Sequence, residues 1–264
     1  MFVFTDQMQR RITMEQKPQR IVSLVPSQTE LLFHLGLREE VVGITKFCVH
    51  PQEWFRTKTR IGGTKTLNFE KIKSLQPDLI LANKEENTQE QVEELAKHFP
   101  VWVSDVNTLE DALYMISAVG EITGRKEKAT TLIEQIQTGF TSLQTQDVKR
   151  KMAYLIWKEP YMTVGGDTFI HDLLTRAGFE NIFQNKNRYP VIGVEELLIA
   201  SCQLLILSSE PYPFRQKHIE ELQKQLPNTK IILADGEMFS WYGSRLLHAP
   251  AYFLQLREQI EAML

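Results

Sequence analysis

Arg20-Ile21-Val22-Ser23-Leu24-Val25-Pro26-Ser27-Gln28-Thr29-Glu30-Leu31-Leu32 decides the fold. Ile21 to Val25 is a short, nearly unbroken apolar run, the pattern of a strand buried on both faces of a parallel sheet. The period then changes. Ser27 is a natural helix cap, and Glu30, three residues on, completes a capping box. Leu31, Leu32, Leu35 and Leu37 give the helix an apolar face, and Gly36 suits its C-terminal stop. Outward from this unit the alternation repeats. Val41 to Ile44 reads as a strand, and Phe69 to Leu75 as a helix started by Asn68 and ended before Pro77-Asp78. Leu79 to Ala82 is a strand, Thr88 to His98 a helix and Val101 to Val103 a strand. Strand and helix in alternation predict a parallel sheet covered by helices.

From Thr108 to about Gln144 the strand signal disappears. Leu109, Leu113, Ile116, Val119 and Ile122, then Ala129, Leu132, Ile133, Ile136 and Phe140, recur at helical spacing. Gly124 either breaks this stretch or is tolerated inside one helix at about 1 kcal/mol. The expectation is one long helix, a stiff spine. A second α/β pattern starts at Met152 to Trp157 and repeats the first in order. Asp172-Leu173-Leu174-Thr175-Arg176-Ala177-Gly178-Phe179 mirrors Glu30 to Leu37, and Glu195-Glu196-Leu197-Leu198 before Leu204-Leu205-Ile206 mirrors Glu70 to Lys73 before Leu79 to Leu81. The expected architecture is therefore two α/β lobes, residues 1–106 and 147–264, with central parallel sheets and flanking helices, joined by a bridging helix over 107–146.

Composition excludes several classes. The 264 residues are 42% hydrophobic, enough for a real core, and carry 30 basic and 33 acidic side chains, a formal charge of −3. Nucleic acid is not an expected partner, since phosphate binding needs a basic excess or stripe. Lys149-Arg150-Lys151 reads as a solvated link before a strand. No apolar run approaches the roughly 20 residues that span a bilayer. Met1 to Asp6 turns polar too soon for a signal peptide. The chain is thus expected to be a mature fragment of an exported protein, or cytoplasmic if Met1 is its true start. Cys48 and Cys202 define neither a disulfide framework nor a zinc site, and Cys202 reads as a small buried hydrophobe.

Open α/β sheets place ligands at the carboxyl ends of their strands. Pro26, Ser27, Phe47, Trp157, Tyr161, Trp241 and Tyr242 fall there, and Tyr189 precedes a second-lobe helix. Aromatic side chains cover a flat, partly apolar macrocycle with large area at low entropic cost. The turn-forming neighbours of Tyr189, Trp241 and Tyr242 argue that these rings stay out of a strand interior. Lys65, Lys84 and Arg245 are candidates to meet an anionic chelate. Cys48 and His50 alternate and would share one face of a strand, but two ligands are too few for a closed zinc site. No metal site is expected, and His50 or His248 is retained only as a candidate ligand for a cargo metal. Gly165-Gly166-Asp167 lacks the Gly-Lys-Ser/Thr ending of a phosphate loop and reads as a turn. No nucleophile, base and orienting acid are spaced for catalysis, so a binding protein is expected rather than an enzyme.

The chain resembles the substrate-binding proteins of ABC importers for vitamin B12, siderophores and haem, the helical-backbone metal receptors. Arg20 to Leu32, Val42-Gly43-Ile44, Ile61-Gly62-Gly63, Asn68-Phe69-Glu70-Lys71-Ile72, Gln76-Pro77-Asp78-Leu79-Ile80 and Ala177-Gly178-Phe179-Glu180-Asn181-Ile182-Phe183 carry the resemblance. It covers residues 4 to 258 and is greatest to the vitamin B12 branch. It implies a class III periplasmic-binding-protein-like fold, a monomer with no covalent cofactor, and a corrinoid or ferric chelate as transported ligand in an interlobe cleft. It also implies that Glu70 and Glu195 dock on the arginines of an ABC permease dimer. A siderophore or haem receptor, or a cytoplasmic corrinoid carrier, stands as the alternative. Thr64 and Asn83 occupy positions where a well-known type of B12 binder has tryptophans.

Overall fold

The computed structural model describes residues 1–143 and 150–263. Lys149 and the expected lobe boundary at 146/147 lie outside them. The chain divides into two compact units. Unit 1 comprises 1–106, 110–136 and 242–245, and unit 2 comprises 107–109, 137–241 and 246–264.

Unit 1 opens with an antiparallel hairpin, β1 (Phe2–Thr5) and β2 (Arg11–Met14). Then follow β3 (Ile21–Ser23), α1 (Pro26–His34), β4 (Val41–Ile44), α2 (Gln52–Thr57) and β5 (Thr59–Arg60). The short strands β6 (Gly62–Gly63) and β7 (Thr66–Leu67) lead into α3 (Phe69–Ser74), β8 (Leu79–Asn83), α4 (Gln89–Ala96) and β9 (Val101–Ser104). The main sheet runs β5-β4-β3-β8-β9, with every pairing parallel. All residues of β3, β8 and β9 are buried. That is the packing a parallel sheet covered on both faces demands, and it explains the absence of polar alternation in these runs.

The helical stretch that follows is not one helix. It is α5 (Leu109–Ile122) and α6 (Lys126–Thr141), and the boundary between the units falls within α6. Gly124, at φ +69°, ends α5. Its N–H donates to Glu121 O at 3.1 Å, and the N–H of Arg125 donates to Gly120 O at 2.6 Å. These are the two bonds of a Schellman motif, which satisfies the last carbonyls of a helix instead of extending it. A Cβ at Gly120 would lie 2.3 Å from Ala129 Cβ, so α5 and α6 turn back and touch at a small-residue contact. The expected bridging helix over 107–146 is corrected accordingly.

The start of α1 is corrected as well. Val25 is its N-cap, Pro26 takes the first helical position and Ser27 lies inside the helix. Proline suits that position because its missing N–H would be unpaired there anyway. Glu30 therefore makes no capping box. Its carboxylate takes a two-pronged ion pair from Arg245, at 2.7 Å from Nη2 and 3.2 Å from Nε. A Cβ at Gly243 would meet Ser27 O at 2.6 Å, so the segment 242–245 lies against the first turn of α1.

Unit 2 contains β10 (Arg150–Leu155), α7 (Phe169–Arg176), β11 (Phe179–Asn181), α8 (Val194–Ile199), β12 (Leu204–Ser208), α9 (Gln216–Gln223), β13 (Lys230–Ala234), α10 (Glu237–Ser240) and α11 (Ala249–Glu261). Its sheet runs β11-β10-β12-β13, again wholly parallel. The repeat seen in the sequence is physical. Gly36 follows α1 at φ +84° and Gly178 follows α7 at φ +83°, so each closes its helix in a conformation that costs other residues.

Two outcomes are expected. Gly178→Ala places a methyl 2.8 Å from Arg257 Nη2 in left-handed backbone, and lowers stability by about 1–2 kcal/mol in urea unfolding. Glu30→Ala strands a largely buried guanidinium and lowers stability by about 1–3 kcal/mol. In a double-mutant cycle Arg245→Ala adds little to Glu30→Ala, because both remove the same pair.

Candidate functional site

The carboxyl ends of the unit 1 strands form a buried polar layer. Thr29, one turn into α1, places its Oγ1 2.8 Å from Ser23 Oγ, 2.9 Å from Val25 O and 3.1 Å from Cys48 Sγ. Gln28 Nε2 donates to Ser104 Oγ at 2.6 Å. Asn83, the last residue of β8, donates from Nδ2 to Ser104 Oγ at 3.0 Å and accepts at Oδ1 from the N–H groups of Glu85 and Glu86. Asn87 Nδ2 ties down the Thr64 carbonyl at 2.9 Å. Against this satisfied background two buried atoms at the start of α1, Ser27 Oγ and Gln28 Oε1, have no hydrogen-bond partner among the described residues. Buried polar atoms left unpaired are costly and uncommon. Pro26 beside them is half-buried.

Phe47, three residues beyond β4, is 51% exposed, with Lys46 Nζ 5.1 Å from its ring centre. Cys48 is fully buried. It sits in a turn after β4, so it and His50 share no strand face. Burial raises the Cys48 thiol pKa, with the hydrogen bonds from Thr29 and Thr45 opposing. Among the described residues no group of three or more His, Cys, Asp or Glu is placed to hold a metal ion. His50 is half-buried, and His248 is exposed at the N-cap of α11. Of the basic candidates, Lys84 pairs with Asp105 at 2.7 Å and Arg245 with Glu30, while Lys65 is exposed.

In unit 2, Trp157 follows β10 by two residues and is 40% exposed. A short bridge to Met162 fixes its backbone. Tyr212 meets its ring edge-on at 5.7 Å. Tyr161 packs half-buried on the core around Leu155 and Ile192, and burial raises its phenol pKa. Tyr189 is half-buried, with the Arg188 guanidinium 5.7 Å from its ring centre. Trp241, in unit 2, and Tyr242, in unit 1, lie outside any strand, as their turn-forming neighbours argue, but each is only 6% exposed. Glu210, which the sequence reading missed, explains the first. Its Oε1 accepts from Trp241 Nε1 at 3.0 Å and from Ser240 Oγ at 2.5 Å, and so anchors the indole. Burial raises the Glu210 pKa, and Glu237 and Asp235 add to the shift. No pattern in the sequence marks Glu210, because its partners lie thirty residues away.

Gly165 and Gly166 are glycines for packing. A Cβ there would strike Lys186 O at 2.3 Å and Gln184 O at 2.1 Å. Glu70 and Glu195 are both exposed in the first turn of a helix, of α3 and α8 respectively. Asn68 Oδ1 caps α3 by accepting from Lys71 N, and Glu196, not Glu195, reaches back to Gly193 N. Neither Glu70 nor Glu195 has an ion-pair or hydrogen-bond partner among the described residues. No helix among those residues is long and apolar enough to cross a membrane.

Comparison with known proteins agrees with this arrangement. The chain is 27% identical to the vitamin B12-binding protein of Photorhabdus laumondii over 243 residues, which cover 90% of this chain and 87% of that one. It is 29% identical over 189 residues to the uncharacterised ABC transporter substrate-binding lipoprotein YvrC of Bacillus subtilis, covering 67% of this chain and 57% of the relative. Among solved structures, the periplasmic vitamin B12 binding protein BtuF of Vibrio cholerae superposes with a TM-score of 0.73 at 21% identity, covering 92% of this chain and 99% of that one. The periplasmic haem binding protein HutB of Vibrio cholerae gives 0.76 at 19% identity, covering 90% and 98%. At these identities the two structures establish the shared fold. The periplasmic binding protein family profile matches residues 21–229, most of the chain, and the chain belongs to that family of substrate-binding, non-catalytic components of ABC import.

Proposed function

We propose that this protein binds a corrinoid and delivers it to an ABC permease outside the cytoplasm. The observation that carries the ligand class is the similarity, over some nine-tenths of the chain, to proteins named as vitamin B12 binders. The structure offers suitable chemistry. Each unit ends its parallel sheet with an exposed aromatic ring, Phe47 in one and Trp157 in the other, and such rings suit the flat faces of a macrocycle. Pro26 and Ser27 stand at the carboxyl end of β3 in this reading, Pro26 half-buried and Ser27 3% exposed. Tyr161 and Tyr189 are half-buried rings of unit 2 that extend its surface in this reading, while Trp241 of unit 2 and Tyr242 of unit 1 are buried and serve to pack their own units.

A haem or ferric siderophore is the second reading, and Asn83 favours it. Its buried amide is committed to Ser104 and to the turn at Glu85, so this position offers no aromatic face. Titration calorimetry with cyanocobalamin, cobinamide, haemin and a ferric hydroxamate decides between them. A stoichiometric heat with cobinamide or cobalamin alone supports the first reading, and binding only of haemin or the hydroxamate replaces it. Trp157→Ala is expected to weaken binding of the true ligand about tenfold, through loss of about 1–1.5 kcal/mol of ring contact.

Glu70 and Glu195 serve permease docking in this reading. Both are exposed and unpaired among the described residues, and Leu198 and Ile199 beside Glu195 add exposed apolar surface, the latter 84% exposed. Glu70→Lys with Glu195→Lys is expected to abolish stimulation of the transporter's ATPase while ligand affinity stays unchanged. If ATPase stimulation survives the double variant, the docking role is wrong.

A further inference from the structure

His218 is 3% exposed and lies in the first turn of α9. Its Nδ1 accepts the backbone N–H of Arg215 at 2.9 Å. A backbone N–H only donates, so Nδ1 holds a lone pair and the proton of the neutral ring sits on Nε2. Nε2 lies 3.4 Å from Tyr212 Oη. The ring is boxed by Tyr212 and Phe214, each with its centre 5.5 Å away. Tyr212 in turn donates its N–H to Ile156 O and sets its ring edge-on against Trp157 at 5.7 Å. A continuous line of contacts thus runs from His218 through Tyr212 to the exposed indole of unit 2.

We propose that His218 is a positioning residue for Trp157, and that proton uptake at Nδ1 breaks its bond with the Arg215 N–H, displaces the ring together with Tyr212 packed on it, and weakens ligand binding in mild acid. This rests on the reading above in one respect, that Trp157 touches the ligand. A proton on Nδ1 would point at the Arg215 N–H and destroy the cap of α9. The positive N-terminal end of that helix disfavours a cation there as well. The charged neighbours are Lys158 from the turn after β10, and Lys217 and Glu221 from α9. Glu221 is already engaged by Lys158 at 2.5 Å. Burial is the main cause that holds the His218 pKa below its ordinary value, and the two lysines add to it while Glu221 opposes. The sign follows. An unfolded histidine protonates near pH 6.5, the folded one only at lower pH, so the neutral arrangement is intact above that value and is lost as pH falls through the folded pKa.

The test uses ligand-free protein first. Emission of Trp157, taken as the difference between wild type and Trp157→Phe, is followed from about pH 8 to about pH 5. A single-proton transition is expected below about pH 6.5, with the same midpoint as the His218 Cε1–H resonance. His218→Gln keeps an acceptor at the capping position but cannot become a cation, and should abolish the transition. A transition that persists in His218→Gln, or wild-type emission that is flat while the His218 resonance titrates, overturns the proposal. The wild-type comparison of midpoints decides even if the variant does not fold. Cyanocobalamin is then titrated at about pH 7.5 and at a pH about one unit below the measured His218 midpoint, where wild-type Kd should rise at least about fivefold and that of His218→Gln should not. Absence of cobalamin binding at both pH values, with the emission transition intact and removed in His218→Gln, refutes the corrinoid reading and leaves the positioning role standing.

Discussion

Parallel pairing is the constraint on which the rest depends. Strands that run the same way cannot be joined by tight turns, so each return crosses the sheet through a helix or loop. In both units this stacks the carboxyl ends of consecutive strands along one edge, where the chain leaves the sheet and begins a helix. The backbone there has run out of ladder partners. Side chains must take over, and Thr29, Gln28, Asn83 and Ser104 do so in unit 1, as Ser208 and Tyr154 do in unit 2. The polar layer is therefore a consequence of topology before it is a device for function.

The strands were the most legible part of the chain. Runs such as Leu79 to Ala82 and Leu204 to Ile206 carry their own evidence, because a strand buried on both faces needs apolar residues throughout. The internal repeat was legible for the same reason, and Gly36 and Gly178 close matching helices. The helix break at Gly124 was visible as an alternative, but a glycine tolerated in a helix and a glycine in a Schellman motif look alike in one dimension. What distinguishes them is the Gly120–Ala129 approach, a contact between two helices. Ser27 was misplaced because Pro26 competes for the same few positions, and a proline that needs no N–H donor takes the first helical one.

The aromatic candidates divide along similar lines. Phe47 and Trp157 remain exposed because the chain projects them just past a strand end, a position set by local order alone. Trp241 and Tyr242 sit among residues that favour turns, and both lie outside the strands, yet both are buried. Burial won through Glu210, whose carboxyl takes the indole N–H and so removes the cost of burying it. Long-range partners of this kind, like Arg245 for Glu30, leave no periodicity to read. The charge balance was legible in sum but not in arrangement, since most of the basic residues considered as ligand contacts are spoken for by nearby carboxylates.

The four residues 242–245 belong to unit 1 although the sequence on either side belongs to unit 2. A gene cut at residue 136 would therefore part residues 242–245 from the rest of unit 1. A fragment stopping at residue 136 would leave Glu30 without its cation and uncover the first turn of α1, while the complementary fragment would carry Arg245 with no anion to receive it. The two halves look like independent modules by their repeated grammar, yet their boundaries interleave along the chain. During synthesis, too, the amino-terminal half must wait for nearly the whole polypeptide to leave the ribosome before its last contact can form.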